Sequence, residues 1–375
     1  MPDRDAVRSE SGRESQPEPA AVGADLDLLD GAVGAVPEID SQRRVAADSS
    51  RPLEERLEAY EDVIDSEVGD TTLTRARNLE REVGLRQLYL KFEGGNPSGT
   101  QKDRIAFAQV LDAVRRGFDT VTAASCGNYG AALALASSVA GLRCIVYIPS
   151  DYHAKRRAEI EAYGAQIVRH GESYEAAVTE SRRRAEREEL YDANPGGLNT
   201  AIQLRAYGEI AYEIYDELRD APAAIAVPVS NGTTVAGIYK GFVSLYRRGR
   251  TSHLPRIAIG SSLNKNPIVR AFRDNLEHCE DLMPDQVRET RINEPLVNWH
   301  SIDGDHALQA VRDTGGWASY ASDKNMSRLS RLLREREGLN VLPASTAGLA
   351  ALAQRQTETP LAPDRYVVVL TGRRA

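Results

Sequence analysis

From about residue 60 onward, short β-rich runs trade places with stretches of helical spacing, and this alternation restricts the fold more than any other feature of the chain. Leu88–Phe92 reads as a strand, and residues 103–116 carry Ile105, Phe107, Ala108, Leu111 and Val114 at helical spacing. Residues 121–124 then precede a glycine-bracketed turn and an alanine-rich helix over 131–140, and 144–148 is a strand ended by Pro149. A helix over 155–163, a strand at Gln166–Arg169 and a charged surface helix over 174–189 follow. A second series starts after Asn194-Pro195-Gly196-Gly197: helix 201–218, strand 224–229, helix 235–247, strand 256–260 and a last strand, Tyr366–Leu370. Alternating elements predict parallel sheets with helices on both faces. Two such series predict an α/β fold of two three-layer domains, with mainly parallel sheets and a cleft between them. The expected division is an arm over 1–55, a larger domain over 56–90 plus 196–375, and a smaller one over 91–195. Residues 275–325 show no clear pattern, and no repeat of solenoid length is present.

The chain has 375 residues, 41% of them hydrophobic and 27% charged, enough for two domains with a substantial core. A formal charge of -8 gives no overall attraction to nucleic-acid phosphate or an anionic membrane, so neither is expected as a partner. Cys126, Cys144 and Cys279 are too few for a disulfide framework and are not spaced for zinc, which points to a reducing, cytoplasmic compartment. The six histidines show no metal spacing. The apolar residues of the first 50 or so positions are too scattered to offset the entropy of ordering, so this arm is expected to be disordered and dispensable for activity. A secretory signal needs roughly 7–15 uninterrupted apolar residues, and Asp25, Asp27 and Asp30 interrupt the leucine cluster there. The uncharged stretch 120–142 has the length of a membrane helix, but Ser125-Cys126-Gly127-Asn128-Tyr129-Gly130 lies inside it. Strand, turn and buried helix fit that stretch better, and a soluble protein is expected.

Four segments carry chemistry. Lysine is scarce, and in Glu93-Gly94-Gly95-Asn96-Pro97-Ser98-Gly99-Thr100-Gln101-Lys102-Asp103-Arg104 a strand ends in a glycine- and proline-shaped loop that delivers Lys102 to a helix start. A lysine desolvated there can attack a carbonyl as a Schiff-base former; taken alone, it reads equally as a solvated helix-start lysine beside Asp103. Ser125 to Gly130 can hold a carboxylate at a helix start or form an ordinary turn with an Asn cap. Cys126 has no neighbouring histidine to activate it and reads as a small packing residue. Ser230-Asn231-Gly232-Thr233-Thr234, between a strand and a helix, suits an anion such as phosphate. Ile238 stands where a nucleotide P-loop needs lysine, and no GxGxxG dinucleotide fingerprint follows a strand. Thr371 ends the last strand, where α/β proteins bind ligands.

In this chain order, the four segments together resemble the pyridoxal-phosphate enzymes of the tryptophan-synthase-β fold type (fold type II), and most closely threonine synthase. Gly69-Asp70-Thr71-Thr72-Leu73 and Pro343-Ala344-Ser345 are similar to further family segments, and the resemblance spans roughly 65 to 372. It implies pyridoxal 5'-phosphate as cofactor and a lyase role in amino-acid biosynthesis. Lys102 is then the Schiff-base lysine and Asn128 the contact to the cofactor's 3-hydroxyl oxygen. Ser230, Asn231, Gly232, Thr233 and Thr234 hold its phosphate, and Thr371 faces its pyridine nitrogen. Ser98, Thr100, Ser125, Cys126 and Gly127 lie on the substrate side.

The resemblance further implies the conversion of O-phosphohomoserine and water to threonine and phosphate, in a homodimer. A hydroxyl facing the pyridine nitrogen goes, in the family, with elimination and replacement at the substrate side chain. The chain departs from the family pattern at Leu342, where glutamate is common, in Ile202-Gln203-Leu204-Arg205-Ala206, and in the Arg373-Arg374-Ala375 ending. Three alternatives stand beside it: a cysteine or cysteate synthase using O-phosphoserine, a serine/threonine dehydratase, and a non-catalytic ligand-binding regulator.

Overall fold

The computed structural model describes residues 37–125, 127–150 and 156–374. In chain order the first elements are α1 (Pro37–Ala47), α2 (Leu53–Glu67), β1 (Leu73–Arg75), α3 (Arg77–Val83), β2 (Leu88–Phe92), α4 (Lys102–Arg115), β3 (Thr120–Ala124), α5 (Asn128–Val139) and β4 (Arg143–Ile148). Next come α6 (Arg157–Ala162), β5 (Gln166–Arg169), α7 (Tyr174–Arg187), β6 (Tyr191–Asp192), α8 (Thr200–Leu218), β7 (Ala224–Pro228), α9 (Thr233–Arg247) and β8 (Arg256–Ser262). The last are α10 (Pro267–Arg273), α11 (Gly304–Asp313), β9 (Trp317–Ala321), α12 (Asp323–Glu337), α13 (Ala347–Glu358) and β10 (Tyr366–Leu370).

The strands form two sheets, one of six in the order β1-β2-β10-β7-β8-β9 and one of four in the order β5-β4-β3-β6. Every pairing is parallel except that of the short edge strand β1 with β2. The α/β architecture with mainly parallel sheets is therefore as the alternation predicts. β7, β10, β3 and β4 are buried almost throughout, as parallel strands covered on both faces must be. The uncharged stretch 120–142 resolves into β3 and the buried helix α5. Among the described residues no helix is long and apolar enough to cross a membrane.

Two sequence expectations change. Residues 275–325, which show no pattern in sequence, contain α11, β9 and the start of α12; β9 is the far edge of the large sheet. Residues 37–55 were expected within the disordered arm, but α1 and the start of α2 occupy them. The reason is a single packed face: Ala46 and Arg43 are buried, and Ile39 and Val45 pack against the core. Arg56 reinforces it by donating to the carbonyls of Ala46 at 3.1 Å and Ala140 at 3.0 Å, tying α1 and α2 to the end of α5. Residues 1–36 lie outside the described residues.

Removing residues 1–50 is accordingly expected to cost about 2–3 kcal/mol, the scale of one or two buried aliphatic side chains. Urea denaturation of the truncated and full chains measures this; equal midpoints would show that α1 contributes nothing.

Candidate active site

The two sheets present the carboxyl ends of β2, β3, β7 and β10 to one cleft of about 180 Å³. The residues that follow these strands are the four segments singled out in the sequence. Lys102, Ser125, Asn128, Ser230 to Thr234 and Thr371 all line this cleft, together with Gln203, Leu342 and Ser345. Ligand sites of open α/β sheets lie at such strand ends.

Lys102 is the first residue of α4, and Thr100 Oγ1 accepts its backbone N–H at 3.2 Å. Its Nζ donates to the hydroxyl of Tyr207 at 3.2 Å. The loop before it is tied to the C-terminal strand: Gln101 N–H donates to Thr371 O at 3.0 Å and Arg373 N–H to Gly99 O at 2.9 Å. The Arg373 guanidinium adds bonds to the carbonyls of Gly94 and Pro97, both at 3.2 Å. Ser98 and Thr100 are buried behind the cleft wall rather than in its lining, and Gly127 is also outside the lining.

Two residues beyond Lys102, Arg104 is held between two carboxylates. Glu93 accepts Arg104 Nε at 2.6 Å and Nη2 at 2.9 Å, the Thr71 hydroxyl at 2.7 Å and Asn96 Nδ2 at 3.1 Å. Glu213, from α8, accepts Arg104 Nη1 at 2.6 Å and Nη2 at 2.8 Å, Lys91 Nζ, and the N–H groups of Asp70 at 3.1 Å and Thr71 at 3.3 Å. Burial alone would raise the Glu213 carboxyl, but the Arg104 hydrogen bonds and the Arg104 and Lys91 charges outweigh it and pull it down to about 2. Beside Arg104 in sequence, Asp103 is fully buried and accepts Ser98 N–H at 3.0 Å through Oδ2. Burial pushes its carboxyl up to about 7, against hydrogen bonding from Ser98 and the charge of Arg156.

On the small-sheet side, Ser125 Oγ accepts the Gly130 N–H at 2.8 Å and so fixes the start of α5. Asn128 Oδ1 accepts from Arg156 Nη1 at 3.2 Å. A guanidinium can only donate, so the amide oxygen faces Arg156 and the amide nitrogen remains as a donor for the cleft. Arg156 is itself held by Glu159 and by Ser98 O at 2.8 Å. Cys126 lies outside the described residues.

On the large-sheet side, Gly232 precedes α9 with φ +96, and a Cβ there would lie 2.5 Å from Asp303 O. No side chain caps α9, so the N–H groups of its first turn have no intrahelical partner and face the cleft wall built by 230–234. Thr233 turns its hydroxyl to Asp303 Oδ2 at 2.5 Å and offers the site its backbone. Asn298 Nδ2 donates to Asn231 Oδ1 at 3.1 Å. At the end of β10 the hydroxyls of Thr371 and Ser345 lie 3.2 Å apart.

Sequence reasoning missed Tyr207, Arg156, Ser345, Glu213 and Asp303. Ser345 stood inside a segment already noted; the other four come from elements distant in sequence and carry no local signal.

Residues 64–372 match the family described as pyridoxal-phosphate dependent enzyme. Threonine synthase of Methanocaldococcus jannaschii is 32% identical over 305 residues, covering 81% of this chain and 74% of that protein. Threonine synthase of Halalkalibacterium halodurans is 31% identical over 306 residues, covering 81% and 82%. Among solved structures, a pyridoxal 5'-phosphate-dependent aspartate racemase superposes with a TM-score of 0.70 at 22% identity, covering 85% of this chain and 94% of that one. Processed threonine deaminase isoform 2 of Solanum lycopersicum gives 0.70 at 16% identity, covering 91% and 86%. At these identities the two structures speak for the fold.

Two stability predictions follow from the buried charges. Glu213→Ala leaves Arg104 and Lys91 with one carboxylate between them and is expected to cost about 3–5 kcal/mol in urea denaturation; a loss below about 1 kcal/mol would show the network to be loosely solvated. Asp103 holds its proton in the folded state up to about pH 7, whereas the unfolded chain releases it near 3.8. Its contribution to stability therefore falls as pH rises from about 4 to 7. Asp103→Asn is expected to flatten that slope, and parallel stability curves for the two proteins would refute the assignment.

Proposed function

Because this chain belongs to the family of pyridoxal-phosphate dependent enzymes, we propose that it is a carbon–oxygen lyase like threonine synthase, converting O-phosphohomoserine and water to threonine and phosphate. The observation that carries the reading is the placement of Lys102 in a cleft also lined by an uncapped helix start and by the paired hydroxyls of Thr371 and Ser345. The identity of about 30% with threonine synthases over four fifths of the chain supports the substrate class.

The residues fit the cofactor. Gly232, with φ +96 and no room for a Cβ against Asp303 O, lets the chain turn into α9, and the α9 N–H groups and the hydroxyls of Ser230 and Thr234 would hold a phosphate there. The Asn128 amide nitrogen, kept toward the cleft by Arg156, would donate to the ring oxygen. Thr371, with Ser345 beside it, would face the ring nitrogen with a hydroxyl rather than a carboxylate. Bound there, pyridoxal phosphate supplies an aldehyde that bonds amines and a conjugated ring that accepts the electron pair left when a substrate Cα loses its proton.

Everything else falls to the protein. Lys102 enters from the start of α4, anchors the cofactor and, when free, takes the Cα proton. Ser125 and the N–H groups at the start of α5 receive the substrate carboxylate. The Arg373 bonds to Gly94 and Pro97 keep the lysine loop from shifting as the bond to Lys102 is made and broken.

Borohydride reduction of the purified holoenzyme is expected to fix the cofactor's mass to the peptide containing Lys102. Lys102→Ala is expected to lose the visible absorbance band and to lower turnover on the order of 10²–10⁴-fold while keeping the fold. Phosphate release from O-phosphohomoserine checks the substrate. Phosphate release confined to O-phosphoserine, or ammonia release from serine or threonine, would replace this reading by a sulfur-transfer synthase or a dehydratase. An active, yellow Lys102→Ala variant would sink the assignment altogether.

A further inference from the structure

Tyr207 lies in the helix α8 directly after the segment 202–206 that departs from the family pattern, and it is fully buried with its hydroxyl 3.2 Å from Lys102 Nζ. The same nitrogen is 5.7 Å from the ring centre. That distance is nearly the hydroxyl contact plus the span from phenolic oxygen to ring centre, so the nitrogen sits off the hydroxyl end and not over the ring face. The contact is a hydrogen bond to the phenolic oxygen, and a cation–π contribution is minor.

The ring cannot retreat. α8 packs so closely on α9 that a Cβ on Gly237 would lie 2.5 Å from Tyr207 Cβ. α8 also grips α4 a second time, through Glu213 on Arg104 at 2.6 Å. Lys102 and Arg104 are two positions apart on a helix, about 200° around its axis. Glu213 therefore fixes the back of α4 while Tyr207 meets the lysine at the front. A free lysine side chain samples many rotamers, and one fixed polar partner buried beside the cleft selects among them.

We propose that Tyr207 is a further catalytic residue, whose hydroxyl holds the ε-amino group of Lys102 whenever that group is not bonded to the cofactor. This rests on the reading of Lys102 as the cofactor-bonding lysine. An amine N–H donates to the phenolic oxygen, which leaves the nitrogen lone pair directed into the cleft. In the capture step that lone pair adds to the aldehyde carbon, and the two amine hydrogens leave with the aldehyde oxygen as water. When a substrate amine displaces Lys102, the freed ε-amine returns to Tyr207, in place to take the Cα proton.

The full-length protein freed of cofactor tests this with two probes. Pyridoxine 5'-phosphate carries an alcohol in place of the aldehyde, so it reports binding without bonding to lysine. Pyridoxal 5'-phosphate reports the rate at which the lysine-bound absorbance band appears. Tyr207→Phe keeps the ring, and is expected to bind pyridoxine 5'-phosphate within about twofold of the wild type while capturing pyridoxal 5'-phosphate about tenfold more slowly, the effect of one lost hydrogen bond to an amine. Tyr207→Met, lacking ring and hydroxyl, is expected to capture no faster than Tyr207→Phe. Wild-type capture by Tyr207→Phe, or an equal loss with both probes, would overturn the proposal by reducing Tyr207 to packing. A wild-type protein that binds pyridoxine 5'-phosphate but never develops the band would overturn the reading of Lys102 itself, and this proposal with it.

Discussion

The ion cluster around Arg104 sets the geometry of everything in front of it. Two cations, Arg104 and Lys91, meet two carboxylates, Glu93 and Glu213, so the buried group is neutral as a whole. Burying ions is costly unless every lone pair and proton finds a partner. Here each carboxylate accepts several donors, including the hydroxyl of Thr71, the amide of Asn96 and the backbone of Asp70 and Thr71. The contributors come from the loop before β1, from β2, from the lysine loop, from α4 and from α8. Three separate pieces of chain, around Thr71, from Lys91 to Arg104 and at Glu213, thus acquire one register through bidentate, direction-dependent bonds, which apolar packing alone would not specify.

On that frame the site is assembled from strand ends, three of which, β2, β3 and β7, connect to a helix. A connection of this kind places backbone N–H groups and small side chains where the helix dipole is positive, which suits carboxylate and phosphate alike. The large-sheet and small-sheet halves divide the work: 230–234 and Thr371 come from one, Ser125 and Asn128 from the other. Lys102 stands at the start of α4 between them; the loop before it is tied to Thr371 and Arg373, and its side chain is met by Tyr207 of α8.

The legible part of the structure is the part with local causes. The parallel α/β plan follows from period-2 and period-3.6 patterns, and strands such as Leu88–Phe92, Gln166–Arg169 and Tyr366–Leu370 can be placed to the residue because turn residues bracket them. Lys102, Asn128 and the 230–234 loop are visible because glycine, proline and small polar residues cluster where backbone must bend. Nothing local marks Tyr207 or Glu213, whose roles depend on α8 lying across α4. Arg156 looks like one more surface arginine in a charged stretch until it is seen beside Asn128. Helix α1 escaped notice because its buried face is only a few residues long and its partners lie on α2 and α5.

The distribution of charge follows from the same division between front and back. Among the described residues that line the cleft, Lys102 is the one with a charged side chain; Arg104, Lys91 and Arg156 are turned to carboxylates behind the wall. A phosphate seated at 230–234 is therefore met by N–H and O–H dipoles, which hold an anion without competing for the lysine's chemistry. A free arginine or lysine in that position would bring a long-range positive field into the cleft. Dipoles act over shorter distances than charges, so an anion gripped by them is held at one end of the cleft while Lys102 keeps its own immediate partner. In this fold that partner is a tyrosine hydroxyl, which can accept from the ammonium or the amine and can also donate.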